Sequence, residues 1–282
     1  GKLVQTGEGN YDSLRISALF AYWIPWKVII KQKLSSYEAF VNEVVGEPSQ
    51  LQDKIITEND IKRHCMNYKM RDYAEPTGDS LIFAGIDWAG DTTYTVLTII
   101  EYKEGKFYVI YVKKYTGMEA QKNKVHEFVE RDLMRFRPNR IFGDWGMGVG
   151  RNSYLLAKGF PIFELELTGG DNNIRYSQQR ERFIVSKFRL IENFVRDLKS
   201  GKIKFPMYSE IAPFVREYTI YTRVEFKSRR DSYLTYDKEY SEAPDDAFLS
   251  LLFAYAAAVS FINHVYHSDR TTTIEDLSKI YN

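Results

Sequence analysis

Four aspartates, at three places in the chain, carry the chemistry that its residue types allow: Asp87, Asp144 and the adjacent Asp245 and Asp246. Asp87 ends the apolar run Leu81-Ile82-Phe83-Ala84-Gly85-Ile86, and Asp144 ends a second, Ile141-Phe142-Gly143. Asp245 and Asp246 open a long apolar stretch that begins at Ala247. Carboxylates at two strand ends and one helix start offer hard oxygen donors, which Mg²⁺ takes while keeping several waters. Converging in space, they would form a two-metal centre for phosphodiester hydrolysis. Plainer roles compete with this one. An aspartate at a strand end often bonds the turn backbone ahead of it, and Asp91 fits that role. Asp245 can cap a helix and Asp246 can gain from its dipole, worth about 0.3–1 kcal/mol. A cap and a metal ligand can coexist in this pair. Like charges brought together raise one another's proton affinity unless cations bind, which is why divalent metal is expected.

Other chemistries find little support. No Gly-x-Ser-x-Gly occurs, which leaves serine hydrolysis without its nucleophile turn. His264 and His267 have helical spacing but sit at the far end of the last predicted helix, away from the aspartates. The run Gly146-Met147-Gly148-Val149-Gly150 fits neither the P-loop nor the dinucleotide spacing. Its glycines would let backbone N–H groups approach a nucleic-acid phosphate. Two basic segments could meet the same phosphates: Arg175, Arg180, Arg182, Lys187 and Arg189 around a predicted helix start, and Lys227, Arg229 and Arg230 at a predicted hairpin tip. Acids interleave in both, so a solvated face is the competing reading.

Composition bounds the class. The 282 residues are 44% hydrophobic and 15% aromatic, enough for one large core, and the net charge of +1 makes any basic surface local. A single cysteine, Cys65, leaves no intramolecular disulfide. Ala247 to Ile262 carries no charge, but its 16 residues fall short of the roughly 20 that span a bilayer, and a buried core helix is expected. The polar start has no secretory pattern. It opens Gly-Lys without Met, and a piece of a longer protein is expected.

The acids depend on the elements that hold them. Residues 81–87, 92–102 and 106–115 are rich in Ile, Val, Thr, Tyr and Phe, with turns at Gly90-Asp91 and Glu104-Gly105, and predict an antiparallel meander. A helix is expected over about 118–136, with Val125, Phe128, Val129 and Leu133 on one face. Then come a strand at Arg140 to Asp144, the glycine turn, a helix at about 152–158 and a strand at about 161–167. Arg180 to Lys199 reads as a helix with Ile184, Phe188, Ile191, Val195 and Leu198 inward. Residues 216–226 and 232–237 alternate as a hairpin, and the last helix spans about 245–265. Upstream, Ser35-x-x-Glu38 and Thr57-x-x-Asp60 head short helices, about 36–45 and 58–68. Pro76-Thr77-Gly78-Asp79 is a turn cluster. The expected organisation is an N-terminal, mainly helical segment over 1–78, a main domain over 79–268 and a polar tail over 269–282. The order βββ-α-β-α-β-α-hairpin-α is the ribonuclease H-like arrangement: a mixed five-stranded sheet flanked by helices, with an added β-hairpin. A right-handed crossover then sets the Asp144 strand beside the Asp87 strand, with both acids at carboxyl ends, where α/β proteins bind ligands.

The motifs Gly85-Ile86-Asp87-Trp88-Ala89-Gly90, Gly143-Asp144-Trp145-Gly146-Met147-Gly148-Val149-Gly150 and Pro244-Asp245-Asp246-Ala247-Phe248 resemble, in this order, the nuclease domain of phage large terminase subunits. The resemblance covers about 80–265, and Arg15-Ile16-Ser17-Ala18-Leu19-Phe20 resembles the stretch that joins their ATPase and nuclease domains. Pro244 stands where family members often carry His. The resemblance implies an endonuclease that cuts concatemeric viral DNA before and after packaging. It implies Asp87, Asp144 and Asp246 as catalytic, metal-binding acids with Asp245 beside them. It implies two Mg²⁺ or Mn²⁺ ions with Asp87 between them, and 5′-phosphate and 3′-hydroxyl products. The implied partners are double-stranded DNA, a small terminase subunit, a portal protein and an upstream ATPase domain, so this chain is not expected to hydrolyse ATP. The implied place of action is the host cytoplasm. Two alternatives stay open: another ribonuclease H-like nuclease, of the junction resolvase or transposase type, and a non-catalytic DNA-binding module of a packaging motor.

Overall fold

The chain folds as two units, Gly1–Lys54 and Ile55–Asn282. The structure is a computed structural model that describes residues 2–4, 13–15, 23–35, 44, 54–74, 80–90, 94–121, 123–170, 172–227, 232–239 and 241–268. In the first unit β1 (Lys2–Val4) pairs antiparallel with β2 (Ser13–Arg15), and α1 spans Trp26–Ser35. The expected helical start thus also carries a strand pair, too short for its periodicity to register. The helix expected at about 36–45 lies, but for Val44, outside the described residues, as do the turn at 76–79 and the tail at 269–282.

Residues 55–74 belong with the second unit. Thr57 starts α2 (Glu58–His64) with the reciprocal cap that its spacing predicts: the Asp60 N–H donates to Thr57 Oγ1 at 3.1 Å, and the Thr57 N–H to Asp60 Oδ2 at 2.9 Å. The elements that follow are β3 (Leu81–Asp87), β4 (Val96–Lys103), β5 (Lys106–Lys114), α3 (Val125–Phe136), β6 (Arg140–Asp144), α4 (Val149–Ala157), β7 (Ile162–Thr168), β8 (Arg175–Ser177), β9 (Arg182–Ser186), α5 (Lys187–Lys199), β10 (Ile203–Lys204), α6 (Tyr208–Tyr218), β11 (Tyr221–Lys227), β12 (Ser232–Lys238) and α7 (Asp246–Ser268). The sheet runs β10-β5-β4-β3-β6-β7-β9-β8. Its middle five strands are the expected ribonuclease H-like set, antiparallel from β5 to β3 and parallel from β3 to β7. Strand β10 extends one edge, and β9 and β8 the other.

Three expectations need correction. Arg180 to Lys199 is not one helix: β9 pairs parallel with β7, and Ser186 then caps a shorter α5 by accepting the Arg189 N–H at 3.3 Å. Ile184, Phe188 and Ile191 have helical spacing, but Phe183-Ile184-Val185 favours a pleated edge, and the sheet claims it. Residues 216–218 end α6, and the hairpin starts at Tyr221. Ile211, Val215 and Tyr218 bury one face of that helix, while the alternation through 215–221 imitates a strand. The helix expected from 118 begins at Val125, after a 3-10 turn at Gly117–Ala120.

Period-two alternation sets the acids on one side of the sheet. On β3, Ile82, Ala84 and Ile86 pack in the layer of Val129, Leu133 and Leu155. Phe83, Gly85 and Asp87 therefore point the other way, toward α7. Helix α7 crosses β3, β4 and β6. It is long and apolar enough to span a membrane by composition, yet Ala247, Phe248 and 251–258 are buried in the fold. Gly85 lets it lie this close, since a Cβ there would stand 2.1 Å from the Ser250 carbonyl oxygen and 2.2 Å from the Ala254 nitrogen. Gly85→Ala is expected to destabilise the fold by about 3 kcal/mol or more in urea denaturation, because backbone on both sides has nowhere to go. A loss below about 1 kcal/mol would mean that α7 rides higher on β3 than described.

Candidate active site

Strands β3 and β6 pair in parallel with Ile86 opposite Gly143, so Asp87 and Asp144 emerge side by side at the carboxyl edge. Helix α7 runs back along β3. Ser250 and Ala254 meet Gly85, while Phe261 meets the Phe83 ring at 5.5 Å. The first residue of α7, Asp246, therefore lies at the Asp87 end. Asp87 and Asp246 are only 8% and 5% exposed. Burial pushes the Asp87 carboxyl well above the usual carboxylate range, and the charges of Asp246, Asp144, Asp245 and Glu217 push it further. The sequence-predicted acids are thus brought into one electrostatic cluster.

One buried amide braces two of them. Asn152 Oδ1 accepts the Trp88 indole N–H at 2.7 Å, and its Nδ2 donates to the Asp144 carbonyl at 2.9 Å. The residue after Asp87 is thereby tied to Asp144 itself. Gly143 makes room, because a Cβ there would fall 2.2 Å from Asn152 Oδ1. The glycine turn serves the site from within: the Met147 N–H donates to Asp144 Oδ2 at 2.9 Å. Burial raises the Asp144 carboxyl, and the N–H groups of Met147, Gly146 and Trp145 partly offset this. These amides face the protein's own carboxylate, where the sequence suggested an incoming phosphate.

Asp245 and Asp246 are sorted by their neighbours. Asp245 accepts the Tyr221 hydroxyl at 2.5 Å and Lys238 Nζ at 3.3 Å, at the base of the β11–β12 hairpin. The Tyr94 amide favours the charged form of Asp246, while Asp246 Oδ2 is buried with no partner. Its pKa rises from 3.8 to about 6, first through burial, then through the charges of Glu217 and Asp245, with the Tyr94 amide and Lys114 opposing.

Sequence reasoning missed Glu217, Glu164 and Asn152. Glu217 fell in a segment read as strand, although an acid among the apolar positions of α6 marks a buried carboxylate in need of partners. Burial raises the Glu164 carboxyl, with Arg182 and Asn152 opposing and Asp144 adding to the rise.

The basic residues separate. Lys187 opens α5 beside the acids, with Nζ 4.8 Å from the centre of the Tyr221 ring. Burial lowers its pKa, and Asp245, Asp237 and Asp87 resist. Arg180 pairs with Glu166 at 2.6 Å, and Arg182 lies 4.3 Å from the half-exposed Trp145 ring. Arg175 is exposed on β8, and Arg189 pairs with Glu192 at 2.9 Å. Lys227 ends β11, and Arg229 and Arg230 lie outside the described residues.

Among the described residues no group of three His, Cys, Asp or Glu side chains is already arranged as a metal site. The fit to a cation rests on donor chemistry. Asp87, Asp144 and Asp246 supply only hard carboxylate oxygens. One of those oxygens, Asp246 Oδ2, is buried without a donor. A stability signature follows. A carboxyl whose pKa is raised on folding costs stability once ionised; the contribution is fullest below the unfolded value and falls as pH climbs through the folded one. For Asp246 that window runs from 3.8 to about 6. In EDTA at pH 7.5, Asp246→Asn is expected to unfold at a higher temperature than the parent by the equivalent of about 1–3 kcal/mol, and the gap should close near pH 4. An unchanged or lower Tm at pH 7.5 would contradict the charge crowding.

Neither a family model nor a curated protein matches the chain. Solved structures do. The large terminase nuclease of thermophilic phage G20c with bound magnesium aligns with a TM-score of 0.52 at 17% identity, over 72% of this chain and 97% of that one. A second crystal structure of that nuclease gives 0.51 at 16% identity, over 72% and 98%. The large terminase of bacteriophage HK97 gives 0.50 at 10% identity over 85% of this chain, which spans 52% of that one. The fold of this chain is that of large terminase nucleases.

Proposed function

We propose that this chain is a metal-dependent DNA endonuclease of a viral genome-packaging terminase, cutting concatemeric DNA at the start and end of packaging. The observation that carries the reading is the pairing of the Asp87 and Asp144 strand ends at one sheet edge, with the Asp246 charge acting on Asp87 and a buried, partnerless oxygen on Asp246. The fold shared with the G20c nuclease supports it, as does the magnesium that structure holds.

In this reading Asp87, Asp144 and Asp246 hold Mg²⁺ or Mn²⁺, which supplies Lewis-acid stabilisation of charge building on the phosphate. The chain's own residues do the rest. Asn152 and the turn amides fix the direction of Asp144, and Tyr221 with Lys238 keeps Asp245 to one side. Lys187 faces the acids and offers its ammonium to the scissile phosphate. Arg175, Arg180 and Arg182 flank the Asp144 side and meet phosphates further along the duplex. The hairpin rises from residues that bond Asp245, so Lys227, Arg229 and Arg230 contact DNA near the cut. A small terminase subunit, a portal protein and an ATPase domain are the proposed partners in the assembled motor.

A plasmid-nicking assay with Mn²⁺, Mg²⁺ and EDTA tests this. Nicking and linearisation with either metal and none in EDTA are expected. Preference for four-way junctions over linear duplex would instead favour a resolvase. Metal-independent binding with no cutting would favour a silent DNA-binding module. Alanine at Lys227, Arg229 and Arg230 together is expected to weaken DNA binding and lower the salt slope by about 2–3. An unchanged affinity and slope would leave the tip as a solvated loop.

A further inference from the structure

We propose that Glu217 is the positioning residue for Asp246: with Lys114 it braces the first turn of α7 and so fixes where the free Asp246 oxygen meets a divalent cation. This rests on the nuclease reading and adds a residue that the motifs do not contain. The first backbone N–H groups of a helix have no partner within it. An aspartate just before the helix would ordinarily supply one, but the Asp245 side chain is turned to Tyr221 and Lys238. Glu217 reaches across from α6 instead, and its Oε2 accepts the Ala247 N–H at 2.7 Å. Its Oε1 accepts Lys114 Nζ, from the end of β5, at 3.2 Å. Lys114 in turn lies 4.1 Å from the centre of the Tyr94 ring, and the Tyr94 amide favours the charged form of Asp246. Glu217 thus braces the first turn of α7 directly, and Lys114, from a strand end, holds Glu217 in place.

Both Glu217 oxygens are taken by protein donors, and the residue is 5% exposed. It therefore acts through Asp246, not as a ligand. A neutral cap would satisfy the same N–H. A carboxylate also sets one more negative charge beside Asp246 and Asp87, which favours the arrival of a cation and disfavours the cluster without one. Glutamine keeps the cap, since its carbonyl oxygen can accept the Ala247 N–H, and removes the charge together with the acceptor for Lys114.

The experiment uses the full chain with three readouts: Mn²⁺ binding by titration calorimetry, kcat and half-saturating Mn²⁺ in plasmid nicking, and duplex binding in EDTA. Glu217→Gln is expected to weaken Mn²⁺ binding and raise the half-saturating concentration about 3–10-fold. Glu217→Ala, which also releases the helix start, is expected to weaken binding by about 10–100-fold and to lower kcat at saturating Mn²⁺. Duplex affinity in EDTA is expected to hold in both. If the parent cuts while both variants match it in Mn²⁺ binding and half-saturation, Glu217 is only a helix cap and the proposal fails alone. If the parent binds Mn²⁺ but never cuts, the nuclease reading fails while calorimetry still decides the role of Glu217. If the parent binds no Mn²⁺, both fall. Should Glu217→Ala not fold, the glutamine variant carries the decision.

Discussion

Asp87→Ala and Asp144→Ala proteins are expected to fold, to bind duplex DNA and to leave plasmid uncut. Each change removes a strand-end carboxylate that no neighbour replaces. The β3–β6 register holds the two strand ends side by side. The cleavage rate should fall by roughly 10³-fold or more, a barrier increase of about 4 kcal/mol. Folding should not be the cause. The Asp87 carboxyl is crowded by Asp246, Asp144, Asp245 and Glu217, so removing it relieves repulsion in the metal-free protein. Its Tm in EDTA should match or exceed the parent's, and the rise in Tm that Mn²⁺ is expected to give the parent should be lost. A folded variant that keeps more than about a tenth of the parent rate would remove Asp87 or Asp144 from the metal set.

The acids were legible because strand ends and a helix start are marked by where apolar runs stop. The order of the central strands followed from the meander and one right-handed crossover. Strand β9 was hidden because Ile184, Phe188 and Ile191 satisfy a helical period, and only the Ser186 cap separates strand from helix. Two- and three-residue edge strands such as β10 and β8 exist only through their sheet neighbours and leave no pattern of their own. Asn152 and Glu217 were out of reach for a different reason. Their roles depend on contacts 64 and 30 residues away in sequence, with Trp88 and Ala247. A polar residue on a buried helix face signals that a partner exists, not which one. The basic residues were found by type, yet sequence could not divide Lys187, beside the acids, from Arg180, paired with Glu166.

The two helix-start acids should part company under the same conservative change. Successive residues of a helix point about 100° apart, so the pair cannot face the sheet equally. Asp245 has both oxygens engaged, one by Tyr221 and one by Lys238, whereas Asp246 keeps Oδ2 buried and free. Asp245→Asn keeps an acceptor oxygen for one of the two donors and removes a charge beside Asp246, not on it. It is expected to keep partial activity, within about tenfold of the parent. Asp246→Asn removes the charge a cation would meet and replaces one oxygen with a donor amide. It is expected to be nearly dead in nicking, by roughly 10³-fold, while its metal-free form is more stable at pH 7.5. Loss of activity with gain of stability in one variant is what a charge held for a ligand produces; a merely structural acid would lose both. Crystals soaked in Mn²⁺ would read the ligands directly. Metal density on Asp245 with Asp246 turned away, or an active Asp246→Asn, would reverse the roles of the pair.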